Sequence, residues 1–192
     1  MDTSASFLDA LQSASNEDAW RTLDEAYGPL IRGWLQRQGA DWADTDDVVQ
    51  EVMLVVARRF GDFHRQRTGA FRSWLKTIAV NCLRDHWRRQ KRTPKAPGGS
   101  DFGEMLAQLE DPHSGISKQW DREHDRHVTE YLLRQIQPQF TPQTWSAFQS
   151  FALEGKSADQ TAQELQITPN AVFIAKSRVM ASLRRAGRGL ID

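Results

Sequence analysis

Phe60–Arg92 reads FGDFHRQRTGAFRSWLKTIAVNCLRDHWRRQKR, and two physical signals change together inside it. From Gly61 to Gly69 the residues are those of a loop: a glycine at each end, with His64, Arg65 and Arg67 between them. From Ala70 onward the spacing predicts a long helix. Phe71, Leu75, Ile78, Cys82 and His86 fall on one side at about 100° per residue, whereas Ser73, Thr77, Asn81, Arg84, Arg88 and Lys91 fall on another. Such a helix packs by one side and offers a basic, amide-bearing side to nucleic acid. Extended to Arg58–Lys95, the stretch holds twelve lysines and arginines against two acids, Asp62 and Asp85. Phe60, Phe63, Phe71, Trp74 and Trp87 lie among the charges. Cations attract a phosphate backbone of any sequence, and flat rings give unpaired bases faces to stack on. A charge run by itself is as often a solvated face, so the surrounding chain has to decide.

Working outward, the positive block is a local excess, because the 192 residues carry a formal net charge of zero. The acids are segregated instead: every charge from Asp41 to Glu51 is negative, and most from Asp101 to Glu130 are. Mean hydropathy is −0.63 with 39% hydrophobic residues, which suits modest cores. The longest apolar run, Val52–Ala57, is far short of the roughly 20 residues of a membrane span, so no membrane insertion is expected. The first twenty residues lack a basic leader and apolar core, and the single cysteine forms no internal disulfide; both fit a cytoplasmic protein.

Strand signals are nearly absent, which predicts an all-α chain. A helix starts near Ser15 or Asn16 with Trp20, Leu23, Tyr27, Leu30, Ile31 and Trp34 as its inner stripe, and a second piece follows Pro29 to Gly39. Asp44 or Thr45 is a candidate cap for the next helix, which runs to about Phe60. Its inward stripe is Val48, Val49, Val52, Val55 and Val56, while Asp47, Gln50, Glu51, Leu54 and Arg58 share the opposite side. Leu54 among charges marks a surface that meets a partner. TPKAPGGSD, residues 93–101, must end the basic helix, and residues 93–117 read as an acidic linker between two small helical domains, 1–92 and 118–192.

The second half predicts four helices. Val128, Leu132, Leu133 and Ile136 line the first; Thr141-Pro142 opens the second and Gly155 closes it. Ser157 and Gln160 form a capping box for the third, and Thr168-Pro169 opens the fourth. Residues 158–177, ADQTAQELQITPNAVFIAKS, fit a helix-turn-helix, with Ala162 at the crossing and Leu165, Ile167, Val172 and Ala175 packing the pair. Gln166 stands where a turn glycine is usual. The last helix would present Thr168, Asn170, Ala171, Phe173, Ile174, Lys176, Ser177 and Arg178 to a major groove, with Arg184, Arg185 and Arg188 on phosphates.

DTDDVVQEVMLVVARRF, GAFRSWLKTIAVNCLRDHWRRQKR and the helix-turn-helix from Lys156 to Arg185, in that order, resemble a bacterial RNA polymerase sigma factor of the short, two-domain extracytoplasmic-function class. The resemblance implies that Asp46, Asp47, Gln50, Glu51 and Leu54 dock on core RNA polymerase. It implies that Phe63, His64, Arg65, Arg67, Lys76, Asn81, Arg84, Arg88, Arg89, Lys91 and Arg92 read and open the promoter −10 element. The C-terminal half would read the −35 element as duplex. An anti-sigma factor is a further partner the family commonly has. The linker would thread through the polymerase, its acidity suiting a basic channel. The rival reading is a duplex-DNA regulator whose N-terminal half only dimerises. No nucleophile triad, phosphate-binding glycine loop or paired-carboxylate set appears, so neither enzyme activity nor a cofactor is expected. Cys82 with His86, and His124 with His127, have metal-ligand spacing, but the first pair lies on the inward stripe and no metal is expected.

Overall fold

The computed structural model describes residues 8, 17–37, 42–63, 70–90, 104, 107–108, 111, 113–188 and 190. Among these there are seven α-helices and no β-strand: α1 (Glu17–Arg37), α2 (Trp42–Arg59), α3 (Ala70–Gln90), α4 (Gly115–Ile136), α5 (Pro142–Phe148), α6 (Ala158–Leu165) and α7 (Pro169–Ala186). The all-α expectation stands. Chain ends apart, the helices belong to two compact units, residues 8–128 and residues 129–188.

In the first unit α2 packs against both α1 and α3. Pro29 does not divide α1, as the sequence reading expected, but lies inside one helix of 21 residues. Proline removes a single backbone donor there; Ala26, Tyr27, Leu30, Ile31, Trp34 and Leu35 are all buried around it and hold the helix through the defect. In α2 the residues taken as caps sit within the helix, and Thr45 is buried. Four of the five valines expected on its inward stripe, Val48, Val49, Val52 and Val56, are buried, and Val55 is half-buried. A 3-10 turn, Phe60–Asp62, ends α2 and delivers Phe60 and Phe63 to an aromatic cluster with Phe71 and Trp74. Phe63 stands 5.5 Å from Phe71 and 5.0 Å from Trp74, ring centre to ring centre.

Residues 93–117, expected to be a linker, lie mostly outside the described residues, and from Gly115 onward the chain is helical. Ser114 caps α4: its hydroxyl accepts from the Ser117 amide at 3.0 Å. The units divide at residues 128 and 129, inside α4, and not at the expected 93–117. The physical reason is a buried stripe on the first half of α4, Ser117, Trp120 and His124. Trp120 meets Trp34 edge-on at 4.9 Å, and His127 Nε2 is 2.7 Å from the Ala26 carbonyl oxygen.

The second unit is assembled by the caps read from sequence. Thr141 accepts from the Thr144 amide, Ser157 and Gln160 bond each other's backbone amides, and Thr168 accepts from the Ala171 amide. A π-helical turn, Gln149–Leu153, follows α5, and Gly155 has the positive φ of 74° that ends it. Val172, Ala175, Val179, Ser182 and Leu183 form the buried side of α7, which packs on α5 and α6.

Candidate nucleic-acid interface

Three surfaces carry the residues singled out by the sequence, and each is set by how its helix is rolled against its neighbours. On α2 the roll that buries the valines leaves Asp47, Gln50 and Leu54 outward. Leu54, a large apolar side chain, is 56% exposed. Asp46 is also exposed and ion-pairs with Arg32 at 2.8 Å. Glu51 turns to the other flank and pairs with Arg89 of α3 at 2.6 Å. The ridge thus runs between two recesses. One, of about 390 Å³, is lined by Trp20, Leu23 and Asp24 of α1 and Gln50, Met53, Leu54 and Ala57 of α2.

The other recess, of about 290 Å³, lies between α2 and α3 and gathers Glu51, Arg59, Asn81, Arg84, Asp85 and Arg88. Arg84 Nη1 donates to Asn81 Oδ1 at 3.2 Å, and Arg88 approaches Asp85 at 3.6 Å. Asn81, Arg88 and Arg89 are exposed and Arg84 is half-buried, so one side of α3 is cationic, as expected from the sequence. Beneath it the Cys82 thiol is buried; burial first, then Glu51 and Asp85, pushes it up to about 11. It is therefore held as the neutral thiol at neutral pH. No group of three or more His, Cys, Asp or Glu among the described residues is placed to hold a metal ion.

Two residues expected on this interface are committed elsewhere. The Phe63 ring is 7% exposed and belongs to the aromatic core, as do Phe60 and Phe71. Trp74 and Trp87 remain half-exposed. Lys76 donates to the Ser117 hydroxyl of α4; burial lowers its pKa, an effect Asp121 opposes. His64, Arg65, Arg67, Lys91 and Arg92 lie outside the described residues.

Lys76 belongs to a polar cluster that sequence reasoning missed. Arg72 of α3 bonds both carboxylate oxygens of Asp125, at 2.7 and 2.8 Å, and stands 3.3 Å from Asp121. His124 lies 3.0 Å from Asp125 and 3.4 Å from the Tyr27 hydroxyl of α1. Burial lowers the His124 pKa, and the Asp125 bond resists that shift. Burial also raises the Tyr27 pKa well above its ordinary value, with Asp125 adding to it. The signal for this cluster was the i, i+3, i+7 spacing of Ser117, Trp120 and His124, masked because two of the three are polar.

On α7, Thr168 caps and the stripe Asn170, Phe173, Ile174 and Ser177 points outward, opposite the buried stripe; Lys176 and Arg178 flank it and Ala171 is half-buried. Gln166 takes the left-handed conformation, φ 53° and ψ 44°, where glycine would be strain-free. The Ile167 amide donates to the Ala162 carbonyl at 3.0 Å, which closes the helix end around it.

The chain is similar to known proteins. Residues 23–93 match the model for sigma-70 region 2, a span that takes in most of α1 and all of α2 and α3. RNA polymerase sigma factor CarQ of Myxococcus xanthus is 28% identical over 169 residues, 88% of each chain. RNA polymerase sigma factor CnrH of Cupriavidus metallidurans is 30% identical over 97 residues, half of each chain. RNA polymerase sigma factor HrpL of Pseudomonas syringae pv. syringae is 32% identical over 65 residues, 34% of each. The family match lies in the half that the rival regulator reading left with dimerisation alone. Sigma factors join core RNA polymerase to promoter DNA and catalyse no reaction of their own. Among the described residues no helix is long and apolar enough to cross a membrane. Residues 23–93 thus match sigma-70 region 2, and along 88% of its length the chain is similar to an RNA polymerase sigma factor.

Proposed function

We propose that this sigma factor docks on core polymerase through the outward ridge of α2 and opens the −10 element along the cationic side of α3. The −35 element is read as duplex by α7. The observation that carries the reading is Leu54, apolar and more than half exposed between Asp47 and Gln50, within the segment matched to sigma-70 region 2. Interfaces concentrate their energy in a few such anchors surrounded by polar residues. Asp46 and Glu51 hold the ridge in place through Arg32 and Arg89, so they support docking as much as they make it.

For opening, Asn81, Arg84, Arg88 and Arg89 would meet the separated strand, joined by His64, Arg65, Arg67, Lys91 and Arg92. Unstacking a base costs a few kcal/mol, which stacking on a ring, about 1–3 kcal/mol per base, offsets. Trp74 and Trp87 are the rings exposed enough to take that part, in place of Phe63. Preference for single strands then drives opening without hydrolysis of a nucleotide. An anti-sigma partner would have to cover either the α2 ridge or α7.

Asp47→Lys combined with Leu54→Arg tests the docking face without disturbing the Glu51–Arg89 pair. Core binding by the double variant should fall by more than about tenfold, the loss of one anchor residue. Unchanged affinity for core enzyme would reject the ridge.

A further inference from the structure

The outward stripe of α7 has a composition that phosphate contact does not explain. Asn170 and Ser177 are polar, but between them Phe173 is 53% exposed and Ile174 49%. Two large apolar side chains half-exposed side by side on one stripe mark a candidate contact surface. The helix bearing them contains no acid, and Lys176, Arg178, Arg184 and Arg185 are exposed along it. That charge calls for a polyanion. A duplex major groove presents one apolar group to such a helix, the C5-methyl of thymine.

Both side chains are also held ready. The Phe173 ring stands edge-on to Phe151 at 5.4 Å, and Lys176 covers Phe151 at 5.1 Å. Ile174 is β-branched and stiff about its first torsion. We infer that Phe173 and Ile174 read thymine methyl groups, so that the upstream element of this chain's promoters carries thymine where they enter the groove. Asn170, ahead of them on the same stripe, is an amide suited to adenine N6 and N7. The inference rests on the proposed duplex reading by α7 and names the bases it selects.

The test uses holoenzyme assembled from the full chain and core polymerase. Its preferred upstream duplex is selected from a randomised pool, then remade with deoxyuridine for each thymine in turn, a change that removes only the methyl group. Binding should weaken about fourfold for each methyl met, the factor carried by burying one such group. In Phe173→Ala or Ile174→Ala holoenzyme the corresponding deoxyuridine penalty should vanish, while core binding stays intact. Equal binding of thymine and uracil duplexes, with sequence selection still evident, overturns the inference and leaves duplex reading standing. Loss of all upstream selection in the wild type overturns the duplex reading and the inference together. Variants that bind both duplexes as the wild type does would assign the pair to a protein contact and also overturn it.

Discussion

Gln166 shows how one side chain records a local cost that the surrounding turn absorbs. At φ 53° a residue with a Cβ is strained by about 1–2 kcal/mol, of which a glycine would return part to unfolded-chain entropy. Gln166→Gly should therefore raise the denaturation free energy of the C-terminal unit by roughly 0.5–1 kcal/mol, read from the denaturant midpoint. His124 makes a second residue-scale prediction. Its folded pKa lies below its ordinary value because it is buried, with Tyr27 from α1, Arg72 from α3, and Asp125 and Asp121 on its own helix around it. The unfolded chain takes up this proton more readily, so stability is full above about pH 6.5 and declines as pH falls through it. Burial alone would raise Asp125, but His124 and Arg72 bring it below the usual range; its contribution is lost only at still lower pH. The unfolding temperature should drop as pH falls below about 6.5, and His124→Gln should flatten that drop. An identical drop in the variant would place the titration elsewhere.

At the scale of elements, α4 is the piece whose role changes. Trp120 is fully buried against Trp34, and replacing a buried tryptophan by alanine costs about 3–5 kcal/mol. Trp120→Ala should destabilise the unit formed by residues 8–128 by that amount and leave α6 and α7 folded, as two separately monitored unfolding transitions would show. The C-terminal helices were legible in the sequence because their signals are local: Thr141, Ser157 with Gln160, and Thr168 each bond a backbone amide three residues on. The ridge of α2 was legible because Val48, Val52 and Val56 fix the roll that exposes Leu54. The first half of α4 was not, since Ser117 and His124 look polar until Lys76 and Tyr27 are beside them. A charge run likewise does not reveal which cations are already partnered. Arg72, Lys76 and Arg89 all count toward the positive block, yet they are bonded to Asp125, Ser117 and Glu51. Aromatic spacing has the same ambiguity, and Phe60, Phe63 and Phe71 resolve it toward the core.

Across the whole molecule, the acids and bases that cancel to a net charge of zero are segregated onto different surfaces. An acidic and apolar ridge on α2, a cationic side on α3 and an acid-free helix α7 are features expected of a chain that couples a polymerase to DNA. The central claim is that these surfaces act together to start transcription, and initiation from a selected promoter by purified core polymerase tests it most directly. With the chain present, the core enzyme should form an open complex, seen as reactive unpaired thymines at the −10 element, and yield run-off transcript without nucleotide hydrolysis to drive melting. Core enzyme that ignores the chain, and initiates no better with it than without, would contradict the account.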